Sequence, residues 1–329
     1  MQIQVWAPAN VLLVGEYIVT EEGGLGIAAA VEPELHVRVS AAPEFQAEAY
    51  AGTPLFHWLA HEAPPPHAEV VDACLSGIGY GKDPPLHIKI DSSAFYTVDG
   101  NKRGLGSSAA VAAALTTALF LFELPNRAHE AEPLHAGKDG CFADLAQQTR
   151  HAILRSAVHA HRAAQGGGSA YDVTASLYGG LGVFHGGDLP GWDPLPADAL
   201  PPAMIRYGKA PVSSPAAVIG YKGLKAVKPE YVKQQMTRSN EETRRLASAL
   251  RAHNLHDFRS GIQRMAGLGL ELGELIGVSA QIEPIAGGYG KAVGAGNEIA
   301  VVFSDSAKPA ATDQPLHITL QGVRWCITE

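Results

Sequence analysis

The sequence predicts a two-lobed protein of mixed strand and helix, α+β or α/β, and three observations carry that prediction. Short stretches of alternating hydrophobicity, such as Leu35–Val39 and Leu86–Ile90, are interleaved with Ala- and Leu-rich runs of helical character. Glycine-rich segments punctuate the chain near residues 104–106, 166–168 and 287–296. A Pro-, Gly- and Asp-rich stretch, 186–202, reads as a linker and separates an N-terminal part, 1–188, from a C-terminal part, 189–329. A length of 329 residues suits two domains.

The elements follow in order. Ile3–Trp6 alternates as a strand, and the apolar run Val11–Val14 reads as a second one closed by Gly15-Glu16-Tyr17. Gly23-Gly24 is a turn, 26–31 is small and apolar, and Leu35–Val39 and Leu86–Ile90 are strands. Pro64–Pro66 marks a surface loop. Residues 104–122 form a helix whose serines sit at its N-terminus. Further helices cover 143–164 and 169–178, and Leu181–His185 is a short strand. In the C-terminal part, Ala217–Tyr221 reads as a strand, Pro229–His253 and Leu255–Leu268 as helices, and Ile299–Phe303 as a strand.

Composition excludes some classes. The hydrophobic fraction of 46% is too high for a disordered chain. A net charge of -8 argues against a general nucleic-acid partner. The charge is uneven, however: residues 206–264 hold 12 Lys and Arg against 4 Asp and Glu. Such a block is either a site for a small anion or a solvated helix face. Cys74, Cys141 and Cys326 show neither CxxC nor zinc spacing, which points to a reduced, cytoplasmic setting. The first ten residues do not read as a secretory leader. The uncharged run 104–122 suits a buried helix better than a membrane span, because it opens with Gly-Leu-Gly-Ser-Ser and carries Thr116 and Thr117.

The chemistry gathers at two loops. Residues 102–110 read Lys-Arg-Gly-Leu-Gly-Ser-Ser-Ala-Ala and run straight into a helix. Glycines let backbone approach an anion, and first-turn N–H groups point at it with the helix dipole behind them. Ser107 and Ser108 add hydroxyls for phosphate oxygens or a metal ion. The pattern is neither a P-loop nor a dinucleotide fingerprint, and taken alone it serves equally as a close-packed helix start. Asp172 follows the second loop, Gly166-Gly-Gly-Ser169, near a helix start, as either a cap or a carboxylate aimed at a ligand. His159 and His161 lie two apart on a helix and face different ways, so a zinc pair is not expected.

The order Ala7-Pro8-Ala9-Asn10…Gly15-Glu16-Tyr17, then GLGSSAAV, then Gly294-Ala295-Gly296 resembles the GHMP kinase superfamily over nearly the full chain. The resemblance implies an α+β, two-lobed GHMP kinase fold. Its N-terminal lobe would be like ribosomal protein S5 domain 2 and its C-terminal lobe ferredoxin-like, with ATP and substrate in the cleft between them. It implies ATP and Mg²⁺ as cofactors, with Gly104, Leu105, Gly106, Ser107, Ser108 and Ala109 on the nucleotide and Ser108 on the metal. The signature His161-x-x-x-Gln165-Gly166 before Gly168-Ser169-x-x-Asp172 is similar to that of phosphomevalonate kinases. It places Asp172 and His161 at the acceptor as catalytic groups. Asn10, Glu16, Tyr17, Ser169, Gly294, Ala295 and Gly296 would line the substrate. Lys222, Lys225 and Lys228, where that family has a Gly-aromatic-x-Gly loop, would meet an anionic small-molecule acceptor. The implied reaction is phosphorylation of 5-phosphomevalonate, with mevalonate kinase, another GHMP kinase or a non-catalytic ligand-binding regulator as alternatives. The expected partners are ATP and the acceptor, with no nucleic acid or membrane, and a homodimer is compatible with the resemblance.

The sequence departs from the family pattern in three places. The first motif commonly carries a lysine where Asn10 stands; Lys102 is the catalytic substitute, with Arg103 and Lys291 the other candidates. The Ser-Thr pair expected after the acceptor loop is Val227-Lys228. The third motif, Gly294-Ala-Gly-Asn-Glu298, is one residue short.

Overall fold

The structure is a computed structural model that describes residues 1–50, 55–59, 68–97, 102–123, 146–208, 214–283, 285, 287–304 and 313–328. Pro64–Pro66, Cys141 and residues 143–145 lie outside the described residues. In chain order the N-terminal elements are β1 (Gln2–Val14), β2 (Leu25–Ala41), β3 (Gln46–Tyr50), β4 (Leu55–Leu59), α1 (Ala68–Ile78) and β5 (Leu86–Asp91). Then come α2 (Ser107–Glu123), α3 (Gln147–Gln165), α4 (Tyr171–Tyr178), β6 (Leu181–His185), β7 (Gly191–Leu195) and β8 (Ala203–Tyr207). The chain ends with α5 (Ser214–Val227), α6 (Pro229–Arg251), α7 (Leu255–Ile276), β9 (Gly288–Val293), β10 (Ile299–Ser304), β11 (Gln314–Pro315) and β12 (Arg324–Thr328). Among the described residues no helix is long and apolar enough to cross a membrane. The mixed α+β composition expected from the sequence is present.

Contacts group the residues into two compact units interleaved along the chain. The first holds Met1–Asn10, Ala30–Gly179 and Gln321–Glu329; the second holds Val11–Ala29 and Gly180–Leu320. In the first unit the strands lie in the order β12-β1-β2-β5-β3-β4. β1 is antiparallel to β12 (Gln2↔Thr328), β2 is antiparallel to β5 (His36↔Asp91), and β3 runs parallel to β5 (Gln46↔His87). Helix α2 packs against α1, α3 and α4 and is buried from Ala109 to Leu121. That explains its uncharged sequence: a helix covered on every side has no polar face to keep.

In the second unit, Leu25–Ala29 pairs antiparallel with β6, and β6 with β7. A separate antiparallel sheet has the order β11-β8-β10-β9. Helices α5, α6 and α7 pack together, and α7 lies against β9.

Five local expectations are corrected. Ile3–Trp6 and Val11–Val14 are one strand, since residues 7–14 are buried and a strand covered on both faces loses its alternation. Gly26–Val31 and Leu35–Val39 likewise join in β2. The 186–202 stretch is no open linker, because β7 pairs with β6 within it. Ala217–Tyr221 is helical: Ala217 and Tyr221 are both buried four residues apart, the spacing of one helix face. Gly220 sits where α5 approaches α7, and a Cβ there would lie 3.1 Å from the carbonyl oxygen of Ile276. The glycine-rich segment 287–293 is mostly strand β9, leaving the turn at Gly294–Asn297.

Candidate phosphate-binding site

The glycine loop of the first unit is held from below. Gly104 and Gly106 adopt left-handed backbone, with φ of 69° and 75°, which glycine alone takes without strain. The Ala110 N–H donates to the Gly106 carbonyl at 3.0 Å, so Gly106 caps α2. The N–H groups of Ser107, Ser108 and Ala109 therefore fall in the first turn, where a helix offers no carbonyl partner. Asn10, 2% exposed, backs this loop: its backbone N–H donates to the Leu105 carbonyl at 3.1 Å. Its side-chain Nδ2 donates to Ser176 Oγ at 3.1 Å, and the Ser176 hydroxyl donates to the Pro8 carbonyl at 2.8 Å. A Cβ on Gly106 would lie 2.4 Å from both Nδ2 and Oδ1 of Asn10. The residue that stands in the lysine position is thus a buried support of the loop.

Three predicted side chains converge above it from three helices. Ser108 Oγ lies 3.4 Å from His161 Nε2, and Asp172 Oδ2 lies 3.8 Å from the same nitrogen. The second distance is within ion-pair range and beyond hydrogen-bond range. His161 is buried, and among the described residues its Nδ1 has no hydrogen-bond partner. Asp172 Oδ1 accepts the Val173 N–H at 2.9 Å, so it serves the start of α4 while Oδ2 faces the histidine. Asp172 thus divides its oxygens, one on the Val173 N–H and one toward His161. The preceding loop closes α3 with Gly166 at φ 73°. Arg162 fixes that loop, donating from Nε to the Gly168 carbonyl at 2.9 Å and from its terminal nitrogen to that of Ser169 at 3.1 Å. Lys102 is exposed and bridges by its backbone to Tyr96, and Arg103 Nε donates to the Tyr96 carbonyl at 3.3 Å.

The second unit gathers another set of predicted residues. Glu16 forms an ion pair with Lys291, whose ammonium also donates to the carbonyls of Leu13 at 3.0 Å and Ala292 at 2.7 Å. All three donors of Lys291 are taken, which removes it as the substitute for the missing first-motif lysine. Burial pushes the Glu16 carboxyl above its ordinary range, and Lys291 pulls it back. The Tyr17 hydroxyl donates to the Ala295 carbonyl, and its ring stacks on Tyr221 at 5.7 Å. Burial raises the Tyr17 phenol above its usual range, so it stays a hydrogen-bond donor. Gly294, with φ 76°, turns the chain between β9 and β10. Lys222 and Lys225 lie on α5 and Lys228 precedes α6, so this segment is helical where the resemblance has a loop. Lys225 pairs with Glu21 at 2.5 Å.

Sequence reasoning missed Arg162, Ser176 and Tyr221. Only the basic residue in the last turn before Gly166 left a signal, as a potential partner of loop carbonyls.

No protein-family model matches the sequence, and no curated protein sequence matches it. Solved structures do. The Lin0012 protein from Listeria innocua is similar over 100% of both chains, with 20% identity and a TM-score of 0.76. Streptococcus pneumoniae phosphomevalonate kinase, in complex with phosphomevalonate and AMPPNP, is similar over 92% of each chain, at 14% identity and a TM-score of 0.64. L. major mevalonate kinase in complex with R-mevalonate is similar over 96% of each chain, at 18% identity and a TM-score of 0.62. The fold is that of the GHMP kinases, as the motif order implied.

Proposed function

We propose that this protein is an ATP- and Mg²⁺-dependent kinase for a small anionic metabolite, best matched by 5-phosphomevalonate, converted to 5-diphosphomevalonate. One observation carries the reading: Ser108, His161 and Asp172 converge beside a helix N-terminus that presents its first-turn N–H groups. The kinase fold and the nucleotide-analogue complex of a structural neighbour support it.

In this reading the first-turn N–H groups hold phosphate oxygens of ATP, with the helix dipole behind them. Ser108 and Asp172 fit Mg²⁺, since a hydroxyl and a carboxylate are hard oxygen donors and this ion completes its shell with phosphate and water. When bound, the metal neutralises charge on the transferred group. A phosphate oxygen of the acceptor attacks the γ-phosphorus; one P–O bond forms as the bond to the departing ADP breaks. A phosphate acceptor is largely ionised at neutral pH, so it needs little proton removal. Asp172 and His161 then act by orienting the acceptor and countering charge. Lys222, Lys225 and Lys228 supply cations to the acceptor side, with Lys225 shared with Glu21. The setting is cytoplasmic.

A coupled ADP-release assay over mevalonate, its 5-phosphate, homoserine and neutral sugars tests the reading. Turnover of the 5-phosphate supports it, and turnover of sugars alone replaces the substrate. The buried Asn10 and the saturated Lys291 favour one alternative, a ligand-binding regulator on the same fold. Nucleotide binding by isothermal titration, with no phosphoryl transfer across the panel, would select it.

A further inference from the structure

The basic block between residues 206 and 264 is only partly used by the lysines above. Its strongest remaining cluster lies on α6 and α7 within the second unit. There Arg244, Arg245, Ser248, Asn254, Asp257 and Arg264 line an open cavity of about 570 Å³. Behind its wall sits Glu242, 5% exposed, which binds both walls at once: Oε2 lies 3.2 Å from Arg245 and Oε1 lies 2.6 Å from Arg264. Gly261 makes this possible by letting the two helices close together; a Cβ there would lie 3.1 Å from Glu242 Oε1 and 2.6 Å from the Leu246 side chain. The buried carboxylate holds two guanidinium groups side by side and uses only one face of each. A guanidinium has five N–H donors, so several remain for an occupant.

Arg244 adds a third cation. Among the described residues it has no carboxylate partner, and it is exposed at the cavity. Ser248 lies four residues on, on the same helix face. Asp257 opposes them, but its carboxylate accepts from Asn254 Nδ2 at 2.8 Å as part of the α7 cap. Three guanidinium groups against two carboxylates leave one positive charge in excess. A surface made only to staple α6 to α7 needs Glu242 and its two partners; it has no use for Arg244 or for a cavity of ligand size.

We infer that this cavity is a second anion site, taking a small molecule that bears a phosphate or pyrophosphate group. It lies in the second unit and requires nothing of the glycine loop, so it stands or falls apart from the kinase reading.

The test is a titration of the full chain, ¹⁵N-labelled at arginine, with inorganic pyrophosphate, following the Nε–H resonances of Arg244, Arg245 and Arg264. Saturable shifts of all three are expected. Arg244→Gln should weaken the apparent affinity about tenfold, the value of one charge-assisted contact. Arg264→Lys keeps a cation for Glu242 while removing the fork, and should weaken it by a similar factor without unfolding the chain. Ser107→Ala in the glycine loop should leave the three shifts unchanged. Shifts that grow linearly, and equally with sodium chloride of matched ionic strength, would overturn the inference, leaving a helix-stapling ion cluster only. So would equal affinity in Arg244→Gln, or loss of the shifts in Ser107→Ala.

Discussion

Two clusters, one in each unit, treat their polar groups in opposite ways. Around Ser108, donors and acceptors are left open: the first-turn N–H groups have no carbonyl partner within the helix, His161 Nδ1 is unpartnered among the described residues, and Asp172 Oδ2 stands 3.8 Å from the His161 ring. Around Lys291, everything is used, with one carboxylate and two carbonyls on three donors. An unsatisfied buried polar group costs about 1–3 kcal/mol, so a fold keeps one where a ligand completes it. The Ser108 cluster thus keeps polar groups to offer, while the Glu16–Lys291 pair is closed on itself. Predicted site residues fall in both places, and the two places differ in how far their donors and acceptors are used.

Asp172→Asn is the hardest blow to this comparison. It keeps the cap to Val173 sterically but removes the charge beside His161. Turnover should fall by about 10²- to 10⁴-fold, equivalent to roughly 3–5 kcal/mol of barrier, while nucleotide binding by titration survives. The loss should be smaller on a phosphate acceptor than on an alcohol, since only the latter must give up a proton during the reaction. Turnover near wild type would place Asp172 among the structural residues.

Lys291→Met tests the opposite half. It strands Glu16 in a buried site, and breaking a buried pair costs about 3–5 kcal/mol, to be read from urea unfolding. The sign with pH follows from the raised Glu16 carboxyl. A group whose folded pKa lies above its unfolded value loses stability as pH rises through the folded pKa. Without Lys291 the carboxyl rises further, so the penalty of the variant should be larger at pH 8 than at pH 5. A penalty independent of pH would mean that Glu16 is not the group stranded.

How much of this was legible beforehand follows the same division. Ser108, His161 and Asp172 were readable because each sits at a local landmark: a helix start, a helix end before glycines, and the helix after them. The Glu16–Lys291 pair joins residues 275 apart in sequence, and nothing local announces it. Helix α5 was misread for a local reason, since Val218-Ile219 favour strand and Gly220 and Gly223 mimic turns. The burial of Ala217 and Tyr221 against α6 and α7 overrides that preference.

Gly106→Ala probes the support beneath the open site. The added methyl meets Asn10 and requires left-handed backbone of an L-residue, so about 1–3 kcal/mol of stability should be lost. Nucleotide affinity should fall as well, because the N–H groups of α2 shift with the loop. Lost stability with unchanged nucleotide affinity would detach the loop from ligand binding.

The smallest effect belongs to Lys225→Ala, and it sharpens the comparison from outside both sites. Lys225 and Glu21 are 204 residues apart and 2.5 Å apart in space, yet the lysine side chain is 51% exposed. Water and salt screen such a pair, and ordering a long side chain opposes what attraction remains. The stability change by urea unfolding should stay within about 0.5 kcal/mol and shrink further in 0.5 M salt. If Lys225 meets an anionic acceptor, the same variant should raise KM for that acceptor several-fold with little change in kcat, because a contact made equally in ground and transition states acts on binding alone. An unchanged KM would leave Lys225 as a surface partner of Glu21, with the acceptor's charge met elsewhere.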